Sequence, residues 1–305
     1  MSPFKPVAVS DYPILKRYFS EHPYSLSIYT PASIIAWSND VFEAHYLIED
    51  DILFIGSEAS EHGEDRHLIL PLSRDKSFSI QDLYRYAGKY GFDRYWYVPG
   101  DYLEQCDRAF LDSHFEVEEQ PEFDDYVYRA DDLIGLRGNK YSKKRNLIHQ
   151  FTRGYLMDGR VQVEAIQKSN VGECLQFLEI WCEQHACDIE QQTSLACEKK
   201  AVVTTLENIG PLESWGLLVR IDGVVSAFGI GSRLNGTTAI LNFEKADANI
   251  KGLYQYLDNQ CAKTLFNGFA YINKESDMNL PNLAESKQSY HPLLRVKSFS
   301  LILRG

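Results

Sequence analysis

Short apolar runs separated by acidic or glycine-bearing turns come in the same order twice along this chain. Tyr46-Leu47-Ile48 and Ile52-Leu53-Phe54-Ile55 flank Glu49-Asp50-Asp51, and this pattern between Ala44 and Ser57 predicts a hairpin. Leu217 to Ile221 and Val224 to Ile230 flank Asp222-Gly223, a stronger signal, because glycine accepts the positive φ of a tight hairpin turn. Each hairpin is followed by a further strand, His67 to Leu72 and Thr237 to Phe243, the second entered through Asn235-Gly236. Gly229 and Gly231, ahead of Ser232, mark a bulge in the longer hairpin. The apolar period then lengthens, predicting amphipathic helices over Ile80 to Tyr90 and Leu253 to Phe266, stopped by Gly91 and Gly268. Aromatic strands close each unit, at Tyr95-Trp96-Tyr97-Val98 and Phe269-Ala270-Tyr271-Ile272, and helices at Tyr12 to Ser20 and Val171 to His185 precede the two hairpins. Antiparallel strands followed by a strand-helix-strand crossover predict a mixed sheet with helices on both faces. The repetition predicts a duplicated α/β domain.

Length agrees with two units, since 305 residues exceed the size at which one core usually keeps growing. The boundaries are placed at 1–130 and 131–305, with a basic connector over 133–157 at the head of the second. No run approaches the roughly 18 apolar residues of a membrane span, and Met1 to Ser10 lacks the plan of a signal peptide. A cytoplasmic protein is expected. The six cysteines, at 106, 174, 182, 187, 197 and 261, are too sparse for a disulfide framework. Cys182, His185 and Cys187 raise the question of zinc, but no second cluster follows and the surrounding run is apolar and helical, so no metal is expected.

Charge changes the picture most. The chain carries 31 basic against 43 acidic residues, a net charge of -12. Between Leu133 and Met157, however, stand Arg137, Lys140, Lys143, Lys144, Arg145 and Arg153 with no Asp or Glu. A local cationic run in an acidic protein is a candidate for the place where an anionic, phosphate-bearing ligand is received. Interleaved Leu136, Tyr141, Leu147, Ile148 and Phe151 suggest a segment packed on one side with its cations turned outward. A plain solvated helix face is the competing reading.

Asp125-Tyr126-Val127-Tyr128, Leu133, Gly138-Asn139-Lys140-Tyr141-Ser142-Lys143-Lys144-Arg145-Asn146 and Phe151 together resemble the central signature of an uncharacterised bacterial family related to the C-terminal domain of phosphatidylglycerol lysyltransferase. Glu244-Lys245-Ala246, Gly252-Leu253-Tyr254-Gln255, Tyr271-Ile272-Asn273-Lys274-Glu275-Ser276-Asp277 and Lys287-Gln288-Ser289-Tyr290-His291-Pro292 continue the likeness in order. It covers the chain from Asp125 onward by motif and the first half by plan. The resemblance implies tandem GNAT-like (acyl-CoA N-acyltransferase) domains, as in the Fem-type aminoacyltransferases, which move an amino acid from aminoacyl-tRNA to an amine or hydroxyl.

On that likeness the donor's phosphates are received by the loop Ala246-Asp247-Ala248-Asn249-Ile250-Lys251-Gly252, where unpaired first-turn amides and the helix dipole favour an anion. Asn249, Lys251 and Gly252 are therefore binding candidates, with Lys140, Lys143, Lys144, Arg145, Asn273 and Lys287. The loop lacks the Gln or Arg and the second small residue of the usual acetyl-CoA pattern, and Asp247 opposes a phosphate. The equivalent loop of the first half, Leu72 to Ser79, has no glycine, so the first domain reads as a degenerate copy. Acyl transfer needs a base for the attacking group and an acid for the leaving group. Glu244 and Glu275 are the base candidates and Tyr290 the proton donor, although Glu275 beside Lys274 also reads as a surface pair.

No Ser-His-Asp order, P-loop, dinucleotide fingerprint or HExxH helix occurs. The leading expectation is an acyl- or aminoacyltransferase that holds no cofactor tightly and uses acyl-CoA or aminoacyl-tRNA as donor. The alternatives are a non-catalytic module on the same fold that binds tRNA, a lipid headgroup at a membrane surface or another polyanion, and a structural protein.

Overall fold

The computed structural model describes residues 3–20, 22–38, 43–57, 66–185 and 193–304. Six strands open the chain: β1 Lys5–Pro6, β2 Ala44–Glu49, β3 Ile52–Ser57, β4 His67–Leu68, β5 Arg94–Pro99 and β6 Phe115–Glu119. Seven more follow: β7 Asp125–Arg129, β8 Val161–Ala165, β9 Trp215–Ile221, β10 Val224–Arg233, β11 Thr238–Ala246, β12 Tyr271–Asn273 and β13 Leu294–Val296. A last strand, β14 Ser298–Leu303, ends the chain. They build two sheets, ordered β1-β2-β3-β4-β5-β14-β6 and β8-β9-β10-β11-β12-β7-β13. Position by position the two orders are the same, and β4–β5 and β11–β12 are the parallel pairs in each. The chain is a duplicated mixed α/β fold on the tandem GNAT-like plan.

Hairpin chemistry sets the register of each unit. Asp50 and Asp51 turn β2 into β3 with φ of 52° and 59°, and Asp222 and Gly223 do the same for β9 and β10 with 52° and 83°. Paired positive φ values give the twist that joins adjacent strands without splaying them. The bulge expected at Gly229–Gly231 is present, as the β10–β11 register shifts between Ile230 and Gly231. Crossover helices follow at Ile80–Tyr90 and Leu253–Thr264. Gly91, at φ 70° in the left-handed region, ends the first of them.

The sixth sheet position departs from the sequence-based domain boundaries. In the first sheet it is filled by β14, from the end of the chain, which pairs with β5 and β6. The first unit accordingly comprises residues 1–125, 275–284 and 295–305, and the second 126–274 and 285–294. The division at 125/126 lies near the expected 130/131, but the C-terminal strand belongs with the first unit, where Leu301, Ser298 and Ser300 are buried. Among the described residues no helix is long and apolar enough to cross a membrane.

Candidate functional site

In the second unit the parallel pair parts. β11 and β12 are joined only over Thr238–Ile240 and Tyr271–Asn273. Beyond Asn273 the chain follows β7, the Lys274 amide bonding to the Tyr126 carbonyl at 2.9 Å, while β11 continues to Ala246 paired with β10 alone. A core would fill such a slot with apolar side chains. Here its lining carries charge.

Lys274, 9% exposed, donates to Asp258 Oδ2 at 2.6 Å and stands 3.8 Å from Glu244 Oε2. Asp258 comes from the helix Leu253–Thr264, on the face that also buries Leu253, Leu257 and Cys261. It accepts a second hydrogen bond from the Tyr290 hydroxyl, and burial with the Asp258 charge holds that phenol well above its usual range. Lys287 donates to the Lys274 carbonyl, and its own carbonyl accepts from Tyr128 Oη at 2.8 Å. Tyr141 Oη reaches the Tyr290 carbonyl at 3.1 Å. Lys144 lies over the Tyr290 ring with Nζ 3.8 Å from its centroid, and the Lys274 Nζ is 4.6 Å from the same ring.

The two carboxyls of this cluster differ in environment. Asp258 holds the ammonium of Lys274 in direct contact, so its charge is compensated. Glu244 has no such contact. Burial, then repulsion from Asp258, pushes its carboxyl up to about 8 against the pull of Lys274, Lys287 and Lys144. It is therefore protonated at neutral pH and able to exchange a proton near it. Burial also pulls Lys144 down to about 8. A slot with one carboxyl paired to Lys274, one proton-exchanging carboxyl and fixed ammonium groups can stabilise developing negative charge and move a proton.

Comparison with known proteins agrees with this fold. The family described as phosphatidylglycerol lysyltransferase, C-terminal, matches residues 59–301. The chain belongs to that family. A conserved protein of unknown function from Bacteroides thetaiotaomicron superposes with a TM-score of 0.87 and 24% identity over 100% of both chains. The C-terminal domain of a putative lysylphosphatidylglycerol synthetase from Agrobacterium fabrum gives a TM-score of 0.64 and 12% identity, covering 97% of this chain and 92% of that one. An uncharacterised Mycoplasmoides gallisepticum protein is 23% identical over 200 residues, 65% of this chain. The alignment spans 63% of that relative's length.

Within this family member the residues singled out in the sequence separate into groups. Glu244, Tyr290, Lys144 and Lys287 converge on the slot, and Asn273, fully buried, ends β12 just before Lys274. Lys140, Lys143 and Arg145 do not join them. Lys140 pairs with Asp132 at 3.5 Å, Lys143 is exposed, and Arg145 donates to the Leu136 and Gly138 carbonyls at 2.5 and 2.7 Å. The basic segment is thus one buried cation, one clamp and exposed charge, not a single patch. Glu275, at φ 58°, falls in the first unit, and the pairing of its neighbour Lys274 is with Asp258 and Glu244 inside the second.

The expected phosphate loop has its own arrangement. Asp247 Oδ1 accepts from the Asn249 backbone amide at 2.9 Å and side-chain amide at 3.0 Å, so these donors are engaged within the loop. Gly252, at φ 85°, admits no side chain, since a Cβ there would stand 2.1 Å from the Leu147 carbonyl. Its lack of a side chain lets the helix Ser142–Phe151, which carries Lys144, pack against the start of Leu253–Thr264. In the first unit the equivalent helix start is closed by its own side chains: Ser79 Oγ accepts from the Asp82 amide at 3.2 Å and Asp82 accepts from the Ser79 amide at 3.0 Å. That capping box leaves a carboxylate where an anion would bind. Of the zinc candidates, Cys187 and the side chain of His185 lie outside the described residues, and Cys182 is buried. Asp258, Lys274 and Tyr128 were missed as a group. The one signal for them is a charged residue at Asp258, next to Leu257 on the buried face of an amphipathic helix.

Proposed function

We propose that this protein is an acyl- or aminoacyltransferase whose reacting centre is the slot between β11 and Lys274, with an amine or hydroxyl as acceptor. The observation that carries the reading is the buried Glu244–Lys274–Asp258 cluster at the point where the parallel strands part. Glu244, once deprotonated, takes the proton of the attacking group and returns it to the leaving oxygen or sulfur. Lys274, fixed by Asp258, faces the negative charge that develops on the donor carbonyl oxygen. Tyr290 is a positioning residue, holding Asp258 through its hydroxyl and Lys144 against its ring. Membership of a lysyltransferase family supports an aminoacyl donor. So does the 246–252 loop, whose Asp247 would repel the pyrophosphate of a CoA donor.

The exposed cations of the basic segment, Lys143 and Arg153 among them, are the feature that favours the second reading, a polyanion-binding module without turnover. The two are separated by offering the purified protein aminoacyl-tRNA or acyl-CoA together with an anionic glycerophospholipid or a small amine, and following product by mass spectrometry. Transfer from aminoacyl-tRNA is the expected result. Retention of tRNA with no transfer from either donor would favour the binding module.

A further inference from the structure

Lys144 is buried to 9% exposure, yet among the described residues no carboxylate forms an ion pair with it. Its neighbour on the ammonium side is the Tyr290 ring. A buried ammonium without a counter-ion is costly, and buried lysines are normally paired. The surrounding charges do not supply the partner. Asp258 is engaged by Lys274 at 2.6 Å and by the Tyr290 hydroxyl, and burial raises the Glu244 carboxyl to about 8, so neither is a ready counter-ion for Lys144. The helix that carries Lys144 holds it in place. Arg145, next in sequence, is clamped to the Leu136 and Gly138 carbonyls, and Leu147 is held against Gly252, so the helix that carries it is fixed on both sides.

We infer that Lys144 receives an oxyanion of the molecule that enters the slot, a phosphate or a carboxylate group seated beside Tyr290 and within reach of Glu244. The inference rests on the reading of this slot as the substrate site. It assigns to a single inward lysine the anion recognition that the sequence spreads over the whole basic segment. The oxyanion supplies the counter-ion that Lys144 does not find among the described residues. Cation–π contact with Tyr290 orients the ammonium for it, and the low-dielectric setting strengthens the pair relative to an exposed lysine.

The test is trace acylation of lysines by acetic anhydride, read by mass spectrometry on the intact chain, with inorganic phosphate or acetate as the added probe. Phosphate, acetate or both should protect Lys144 at least threefold while leaving the exposed Lys143 unprotected, and which probe protects tells a phosphate source from a carboxylate source. In parallel, calorimetric titration of the protecting probe should weaken about tenfold, the loss of one charge-assisted contact, in Lys144→Met and hold in Arg153→Met. Absence of protection by both probes, or unchanged affinity in a folded Lys144→Met, would overturn the inference. Because binding is read without turnover, loss of acyl transfer alongside intact oxyanion binding would count against the proposed reaction and leave this site standing.

Discussion

At Lys274 the side chain does two things that pull in opposite directions. Its burial is unfavourable, yet its contact with Asp258 at 2.6 Å offsets that cost. Removing one partner of such a pair strands the other, which costs about 3–5 kcal/mol. Lys274→Met should therefore lower stability by about that amount, measured by urea denaturation, and Lys274→Met with Asp258→Asn should recover much of the loss. If the single and double variants were equally destabilised, the pair would not be coupled. Glu244 makes a different prediction. Its folded carboxyl titrates at about 8 against an ordinary 4.5, so between those values the folded chain holds one more proton than the unfolded chain. Stability from this group is then full below 4.5 and is lost as pH rises through 8. Glu244→Gln should therefore gain stability relative to the natural chain as pH rises from 5 to about 8, with no further gain above. Lys144 acts in the next window: its folded amine releases its proton at about 8 rather than 10.5, so its contribution improves as pH rises between those values.

The elements around the slot were legible in unequal measure. Ser79, Ile80 and Gly91 mark a helix at its cap, first turn and left-handed stop, and the helix spans Ile80–Tyr90 as the pattern predicts. Asp222-Gly223 likewise announces its hairpin. Local turn chemistry is carried by adjacent residues, which is why it can be read. The role of Gly252 could not be read that way. A glycine ahead of a helix suggests a phosphate loop, whereas here it admits the Leu147 carbonyl from a helix about 100 residues earlier in the chain, a contact no local pattern encodes. Gly252→Ala should cost about 1–3 kcal/mol for the left-handed backbone alone, and the clash should displace Ser142–Phe151 and with it Lys144. Amide hydrogen exchange would show this as faster exchange confined to 142–151 and 250–256. Exchange unchanged in those segments would mean that the glycine does not seat the lysine helix.

For the whole molecule, the repeat of strand, hairpin, strand, helix and strand was visible because each unit carries its own alternation and turns. The closing of each sheet was not. β14, Ser298–Leu303, lies in sequence beyond the second unit and pairs between β5 and β6 of the first, and its short mixed pattern gives no sign of which sheet it joins. The same distance problem hid the site. Glu244, Asp258, Lys274 and Tyr290 lie on separate elements, and the parting of β11 from β12 is what gathers them. The inward turn of Lys144 was hidden because five like-charged neighbours in the same segment read as solvent-facing. The two units differ at the start of the crossover helix: the first is capped by Ser79 and Asp82, and the second starts at Gly252 with no side-chain cap.

The claim at the centre of this account is that Glu244 exchanges the proton in an acyl transfer carried out within the slot. Single-turnover transfer from aminoacyl-tRNA to the acceptor that yields product, measured from pH 6 to 9 for the natural chain and for Glu244→Gln, tests it most directly. The account predicts a rate that rises with pH and levels near 8 for the natural chain, and a rate lower by about 10²–10⁴-fold and without that rise for Glu244→Gln. Equal rates and the same pH profile in the two proteins would contradict it.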